Sequence, residues 1–89
     1  MPVLVSADIP GQTEDGYDAI TNVLGDVVKK APGFIATFSH AIEGGWRVME
    51  IWETSKDASE LFATNVHPSL PPGIKPQRHV QELHNLILP

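Results

Sequence analysis

The sequence contains no cysteine. Disulfide frameworks, cysteine zinc sites, iron–sulfur clusters and thiol nucleophiles are thereby excluded together. Basic residues are scarce. Six Lys and Arg stand against eleven Asp and Glu, for a net charge of −5. A nucleic-acid binder needs a basic face to neutralise phosphates, so that class is set aside. No apolar run reaches the roughly 20 residues needed to span a bilayer, and no membrane partner is expected. Residues Met1 to Ala7 have neither a basic stretch nor a long apolar core. No signal peptide is therefore expected, and the cytoplasm is the expected compartment. With 42% apolar and 19% charged residues, the composition suits a folded globular domain. At 89 residues the chain reads as one domain, 1–89. A domain of this size buries only about 60–65% of its unfolded surface. Without a disulfide or metal staple, pairing into a homodimer is the expected way to bury more.

Hydropathy switches period along the chain. Pro2 to Ile9 alternates as a strand and closes at Pro10-Gly11. Thr13 then precedes Glu14 and Asp15, and Tyr17, Ile20, Leu24, Val27, Val28 and Ala31 recur at helical spacing. Lys29 and Lys30 suit the negative end of the helix dipole, and Pro32-Gly33 stops the helix. Phe34 to Ile42 and Trp46 to Glu53 read as a hairpin around Glu43-Gly44-Gly45. Thr54 or Ser55 caps a second helix from Lys56 to about Val66, with Ala58, Leu61, Phe62 and Val66 (or Asn65) in its apolar stripe. A stiff loop follows, carrying Pro68, Pro71, Pro72 and Pro76, and then a last strand from Gln77 to Leu88.

The order β-α-β-β-α-β predicts an α+β, ferredoxin-like sandwich, with both helices on one face of a four-stranded antiparallel sheet. The helices account for only one apolar face of that sheet. Strict alternation puts Phe34, Phe38, Ile42, Trp46, Val48 and Trp52 on the other face, or a comparable set if the facing is reversed. A sheet apolar on both sides needs a second cover. A second copy of the same sheet would supply it, forming a dimeric α/β barrel with a cavity inside.

Particular segments carry a family resemblance over nearly the whole chain. They are Ala31-Pro32-Gly33-Phe34, the run Val48-Met49-Glu50-Ile51-Trp52-Glu53-Thr54-Ser55, the tract Glu43-Gly44-Gly45-Trp46-Arg47-Val48, His67-Pro68, and Glu82-Leu83-His84-Asn85-Leu86. In these the chain resembles small members of the dimeric α/β-barrel superfamily, close to the antibiotic-biosynthesis monooxygenase group. The resemblance implies a cavity for a small aromatic or polyketide-type compound and cofactor-independent oxygenation, with neither flavin nor metal. The haem-degrading branch of the superfamily implies an Asn on the first strand and a Trp and a His within the second helix. This chain offers Ser6 or Asp8 and no Trp there, so haem degradation is discounted. The polyketide-cyclase branch implies a His-Pro-x-His segment, of which His67-Pro68-Ser69-Leu70 keeps only the first His. A non-oxidative cyclase or isomerase and a non-catalytic small-molecule-binding dimer stand as the alternatives.

Candidate site residues follow from chemistry and position. Glu50 is an acid in register with Trp46, Val48 and Trp52 on an otherwise apolar face. In a cavity it is a general base, and at a rim it is an ion-pair partner for Arg78 or Arg47. His84, in line with Val80, Glu82 and Leu86, is a second candidate base or a half-buried, hydrogen-bonded His. His67 sits where the second helix meets the proline loop, as a gate and proton carrier or as a dipole-favoured cap. Trp52, Phe34, Phe38 and Trp46 are candidates for an aromatic wall that stacks a planar substrate, or for plain core. The four His show no metal-ligand spacing: His79 and His84 are five apart on one strand and point to opposite faces. No metal site is expected.

Overall fold

The changes of period become elements in the expected order. The computed structural model describes all residues, Met1 to Pro89. It contains β1 (Val3–Pro10), α1 (Glu14–Lys30), β2 (Phe34–Ile42), β3 (Gly45–Trp52), α2 (Ser55–Leu61) and β4 (Gln77–Glu82). The four strands form one antiparallel sheet in the order β2-β3-β1-β4. This is the ferredoxin-like α+β arrangement.

Local chemistry explains the helix starts. Thr13 is the N-cap of α1, and its Oγ1 accepts the Gly16 N–H at 3.1 Å. Thr54 caps α2 in the same way, accepting the Asp57 N–H at 3.1 Å. A cap of this kind stabilises a helix by about 1 kcal/mol. The β2–β3 hairpin turns through Glu43 and Gly44, where φ of +75° requires glycine.

Strand register fixes the faces. Val3, Val5, Ala7 and Ile9 lie opposite Trp52, Glu50, Val48 and Trp46. Residues paired across strands share a face. All four β1 residues are buried, and Val3, Val5 and Trp52 form the core with Ala58 and Leu61 of α2. The set Trp46, Val48, Glu50 and Trp52 therefore lies beneath the helices. It does not line the interior of a barrel between two sheets. The outer face carries Leu4, Ser6 and Asp8 of β1 with Arg47, Met49 and Ile51 of β3.

Three sequence boundaries shift, each for a physical reason. In β2 a bulge at Ile35 breaks the alternation. Phe34 pairs with Trp52, but Ala36 pairs with Ile51 and Thr37 with Glu50. Phe34 thus stays under the helices, while Phe38, His40 and Ile42 turn to the outer face. The second helix ends as an α-helix at Leu61 and widens into a π-turn, Phe62–Val66, before a 3₁₀ turn, His67–Ser69. Pro68 has no N–H to continue an α ladder, and the first turn of the 3₁₀ segment tolerates it. The last strand stops at Glu82 instead of Leu88. Its one neighbour, β1, begins at Val3 opposite Glu82, so there is nothing left to pair with beyond Leu83 N–H and Pro2 O at 2.9 Å. On α1, Leu24 is buried, whereas Val27 is exposed and lies off the inner stripe.

Candidate active site

Between α1, the π-turn and the inner face of the sheet lies a cavity of about 420 Å³. That is within the usual range for small-molecule pockets. Its walls are mostly apolar, with Ile20, Leu24 and Val28 from α1 facing Phe34, Val48 and Phe62. Glu50 and Arg78 are the charged groups set into the sheet side.

Glu50 is held from two directions. Trp52 Nε1–H donates to Glu50 Oε1 at 3.2 Å. The Arg78 guanidinium on β4 approaches the same oxygen, with Nη1 at 3.9 Å. Both side chains are largely buried, at 16% exposure for Glu50 and 19% for Arg78. Burial drives the Glu50 carboxyl above its ordinary value of 4.5, and Arg78 and the indole N–H pull it back only in part. Burial also lowers the Arg78 guanidinium from its ordinary value, against the pull of Glu50. Arg78 lies 4.1 Å above the centre of the Phe62 ring, a cation–π contact that holds the guanidinium in place. The π-turn brings both Phe62 and Val66 to the cavity wall. Such turns recur at functional sites because they re-aim side chains.

The structure sorts the sequence candidates. Glu50 and Phe34 line the cavity. Of the two ion-pair partners considered for Glu50, Arg78 is the one that faces it. Arg47 lies on the outer face, bound to Asp8 through Nε–Oδ1 at 2.6 Å and Nη2–Oδ2 at 3.1 Å. Trp52 has no exposure, so it supports Glu50 and Phe34 from behind; it meets the Phe34 ring edge-on at 5.4 Å. Trp46 stacks at 5.5 Å on Tyr17, itself a wall residue, and its Nε1 is buried without a partner. Phe38 is on the outer face and 52% exposed. His67 is exposed and touches the site only through the Phe62 ring, 6.0 Å away edge-on. His84 is exposed and lies past the end of β4, away from the cavity wall. The histidines thus stand apart from Glu50, because β4 ends before His84 and the 3₁₀ turn carries His67 outward.

Two residues of the site escape the sequence reading in this role: Arg78 as a cavity residue, and Gln12. Arg78 was legible as a partner because it is a cation on a strand, but its position opposite Ala7 depends on β4 register. Gln12 is the single buried polar residue, and it is among the residues that line the cavity. Its place between Gly11 and the cap Thr13 reads as loop.

No known family model matches the chain, and no curated protein does. Solved structures do share the fold. SnoaB, a cofactor-independent oxygenase from Streptomyces nogalater, superposes with a TM-score of 0.72 at 7% identity, covering 97% of this chain and 96% of that one. The monooxygenase ActVA-Orf6 from Streptomyces coelicolor, solved in complex with nanaomycin D, gives a TM-score of 0.59 at 16% identity, over 98% of this chain and 91% of that one. NE2512 from Nitrosomonas europaea, a protein of unknown function, gives 0.56 at 17% identity, over 99% and 92%. The ferredoxin-like architecture expected from the sequence is thus the fold that this chain shares with these proteins. At these identities the likeness concerns architecture, and chemistry rests on the site.

Proposed function

We propose that the protein binds a small planar aromatic or polyketide-type compound in the cavity beneath its helices, and oxygenates it without a cofactor. The observation that carries this reading is the Glu50 carboxylate. It is buried in an apolar cavity with its proton affinity raised, and a cation and an indole N–H share one of its oxygens. A carboxyl whose proton affinity is raised by burial is a stronger base than a solvated one, which suits it to proton abstraction.

In the proposed reaction, Glu50 takes a proton from an acidic C–H of the substrate and leaves a delocalised carbanion. Arg78 stabilises the developing oxyanion. The carbanion passes one electron to dioxygen, giving a substrate radical and superoxide. These combine to form a C–O bond, and the resulting peroxide takes up a proton. Loss of water across that carbon leaves a carbonyl. One dioxygen is consumed and one water released, so no external reductant is required. The nanaomycin D complex of ActVA-Orf6 supports the ligand class, since the two proteins share this architecture. The protein works as a homodimer joined through the outer sheet face.

Oxygen uptake tests this reading, using purified protein with a panel of anthrones, hydroquinones and polyketide phenols, in the presence of a chelator. Uptake is expected to persist with the chelator and to fall at least ~100-fold in Glu50→Gln, the scale set by loss of a general base. Turnover of a panel member without oxygen would replace oxygenation with a cyclase or isomerase reaction. Binding without any product would make the protein a carrier.

A further inference from the structure

The cavity has a polar end that the proposed chemistry leaves unused. We propose that Gln12 is its second anchor, and that the compound it selects carries a carbonyl or quinone oxygen at the end remote from Glu50. This inference rests on the reading of the cavity as a ligand site and names the ligand more closely.

Gln12 is 8% exposed, yet it lines the cavity. Its Oε1 accepts the Thr13 N–H at 3.0 Å, which fixes which way round the amide lies. The opposite atom, Nε2, then holds two N–H donors for which the protein provides no acceptor. Nε2 is not sealed either, because the one side-chain polar atom that is both enclosed and unpartnered is Trp46 Nε1. Gln12 keeps a small exposure and is one of the residues lining the cavity, which in this proposal puts Nε2 on the cavity side. A donor in such a place calls for an acceptor, and the ligand is where one would come from.

Two neighbours hold the amide there. The Gln12 N–H donates to Ile9 O at 3.2 Å, folding residue 12 back over the end of β1. Gly16 supplies the room. A Cβ at that position would stand 2.4 Å from Gln12 Oε1. Glycine is a poor helix former, so its presence in the first turn of α1 is otherwise unfavourable. We read Gly16 as a positioning residue for Gln12.

The spacing bounds the ligand. Glu50 lies opposite Val5, and Gln12 folds back onto Ile9, four residues further along the same strand. At about 3.3 Å per residue those two levels are roughly 13 Å apart. That is a separation of backbone levels, from which both side chains and a hydrogen bond at each end reach inward, so the proposed compound is about two fused rings long, with an acidic hydrogen at the Glu50–Arg78 end and an acceptor oxygen at the Gln12 end.

A matched pair of probes tests this. 6-Acetyl-2-naphthol and 6-ethyl-2-naphthol share shape and hydroxyl and differ in a carbonyl at the end remote from that hydroxyl. Their dissociation constants are measured by calorimetry on the wild-type protein and on Gln12→Leu and Gly16→Ala. The wild type is expected to prefer the ketone by about three- to tenfold, the scale of one hydrogen bond. Gln12→Leu is expected to abolish the preference, because the ketone loses its donor while the two probes still meet the same wall. Gly16→Ala keeps the amide but displaces it, so it is expected to lower the preference while helicity by circular dichroism is preserved. That second variant gives the answer should Gln12→Leu fail to fold. Equal binding of both probes by the wild type would overturn the role of Gln12 and leave the cavity reading standing. So would a ketone preference that survives in the variants. If the wild type bound neither probe, the cavity reading itself would fall, and this inference with it.

Discussion

Glu50 ties stability and activity to pH with opposite signs. Its native pKa is raised above the ordinary 4.5, chiefly by burial. Below the unfolded value both states hold the proton, and the stability that comes from burying the neutral acid is fully present. As pH rises through the native value a charge must be buried, and that stability is lost, at about 1.4 kcal/mol for each pH unit between the unfolded and native values. A general base behaves in the reverse sense, because only the ionised form abstracts a proton. Turnover is therefore expected to rise over the same interval in which the fold weakens. Urea titrations across that interval should show Glu50→Gln with a flatter stability profile than the wild type. Asp8 has the opposite slope. The hydrogen bonds from Arg47 hold its pKa below 3.8, so its contribution is present above that value and is lost as pH falls through the native pKa. Trp52→Phe separates support from chemistry. It removes the N–H that donates to Glu50, so the carboxyl rises further and the acid limb of the rate profile moves to higher pH. The smaller ring also costs about 1–2 kcal/mol of packing. An acid limb unmoved in Trp52→Phe would mean that Glu50 is not the titrating base.

The helices and strands were legible because their signals are local, and α1 shows both what that reading captures and what it misses. Thr13, Glu14, Lys29 and Pro32-Gly33 mark its ends in sequence and in structure alike. Gly25 within it is a weak point with open space: a Cβ there would meet only Thr21 Cγ2, at 4.0 Å. Gly25→Ala is expected to stabilise the protein by about 0.5–1 kcal/mol through helix propensity. For a domain of this size that is a rise in Tm of roughly 2–8 °C by calorimetry. Facing was less legible than the elements themselves. The alternation in β3 correctly grouped Glu50 with Trp46, Val48 and Trp52, and an acid in that company stands out in any sequence. Which side of the sheet the group faced depended on where the helices settle. The bulge at Ile35, the π-turn at Phe62–Val66 and the end of β4 are all set by neighbours distant in sequence. They are what moved Phe38 and His84 away from the site and brought Arg78 into it. Gln12 carried no periodic signal at all. The one hint was a glycine, Gly16, in a first helical turn.

At the scale of the molecule, one face remains without a partner. Nine of 89 residues are buried, and they lie almost entirely between the helices and the inner face of the sheet. The outer face presents Leu4 beside Ile51, and Phe38 beside Met49, with the Asp8–Arg47 pair and His40 towards one end. An apolar centre with a polar margin is the anatomy of a protein interface. A second copy laid on this face would also cover β-branched and aromatic surface that the chain's own helices cannot reach. Phe38→Lys and Met49→Lys each put a charge at its centre, where burial without a partner is costly. Sedimentation is expected to give twice the 9.7 kDa chain mass for the wild type and the single-chain mass for these variants. The cavity makes a second, separate demand on the same samples. Its walls come from one chain and lie on the opposite side of the sheet, so the monomeric variants should bind the acetylnaphthol probe with unchanged affinity wherever they remain folded. Loss of binding together with dimerisation would mean that the second copy shapes the cavity through the sheet. A wild-type chain that sediments as a monomer would leave the outer face free for a different partner.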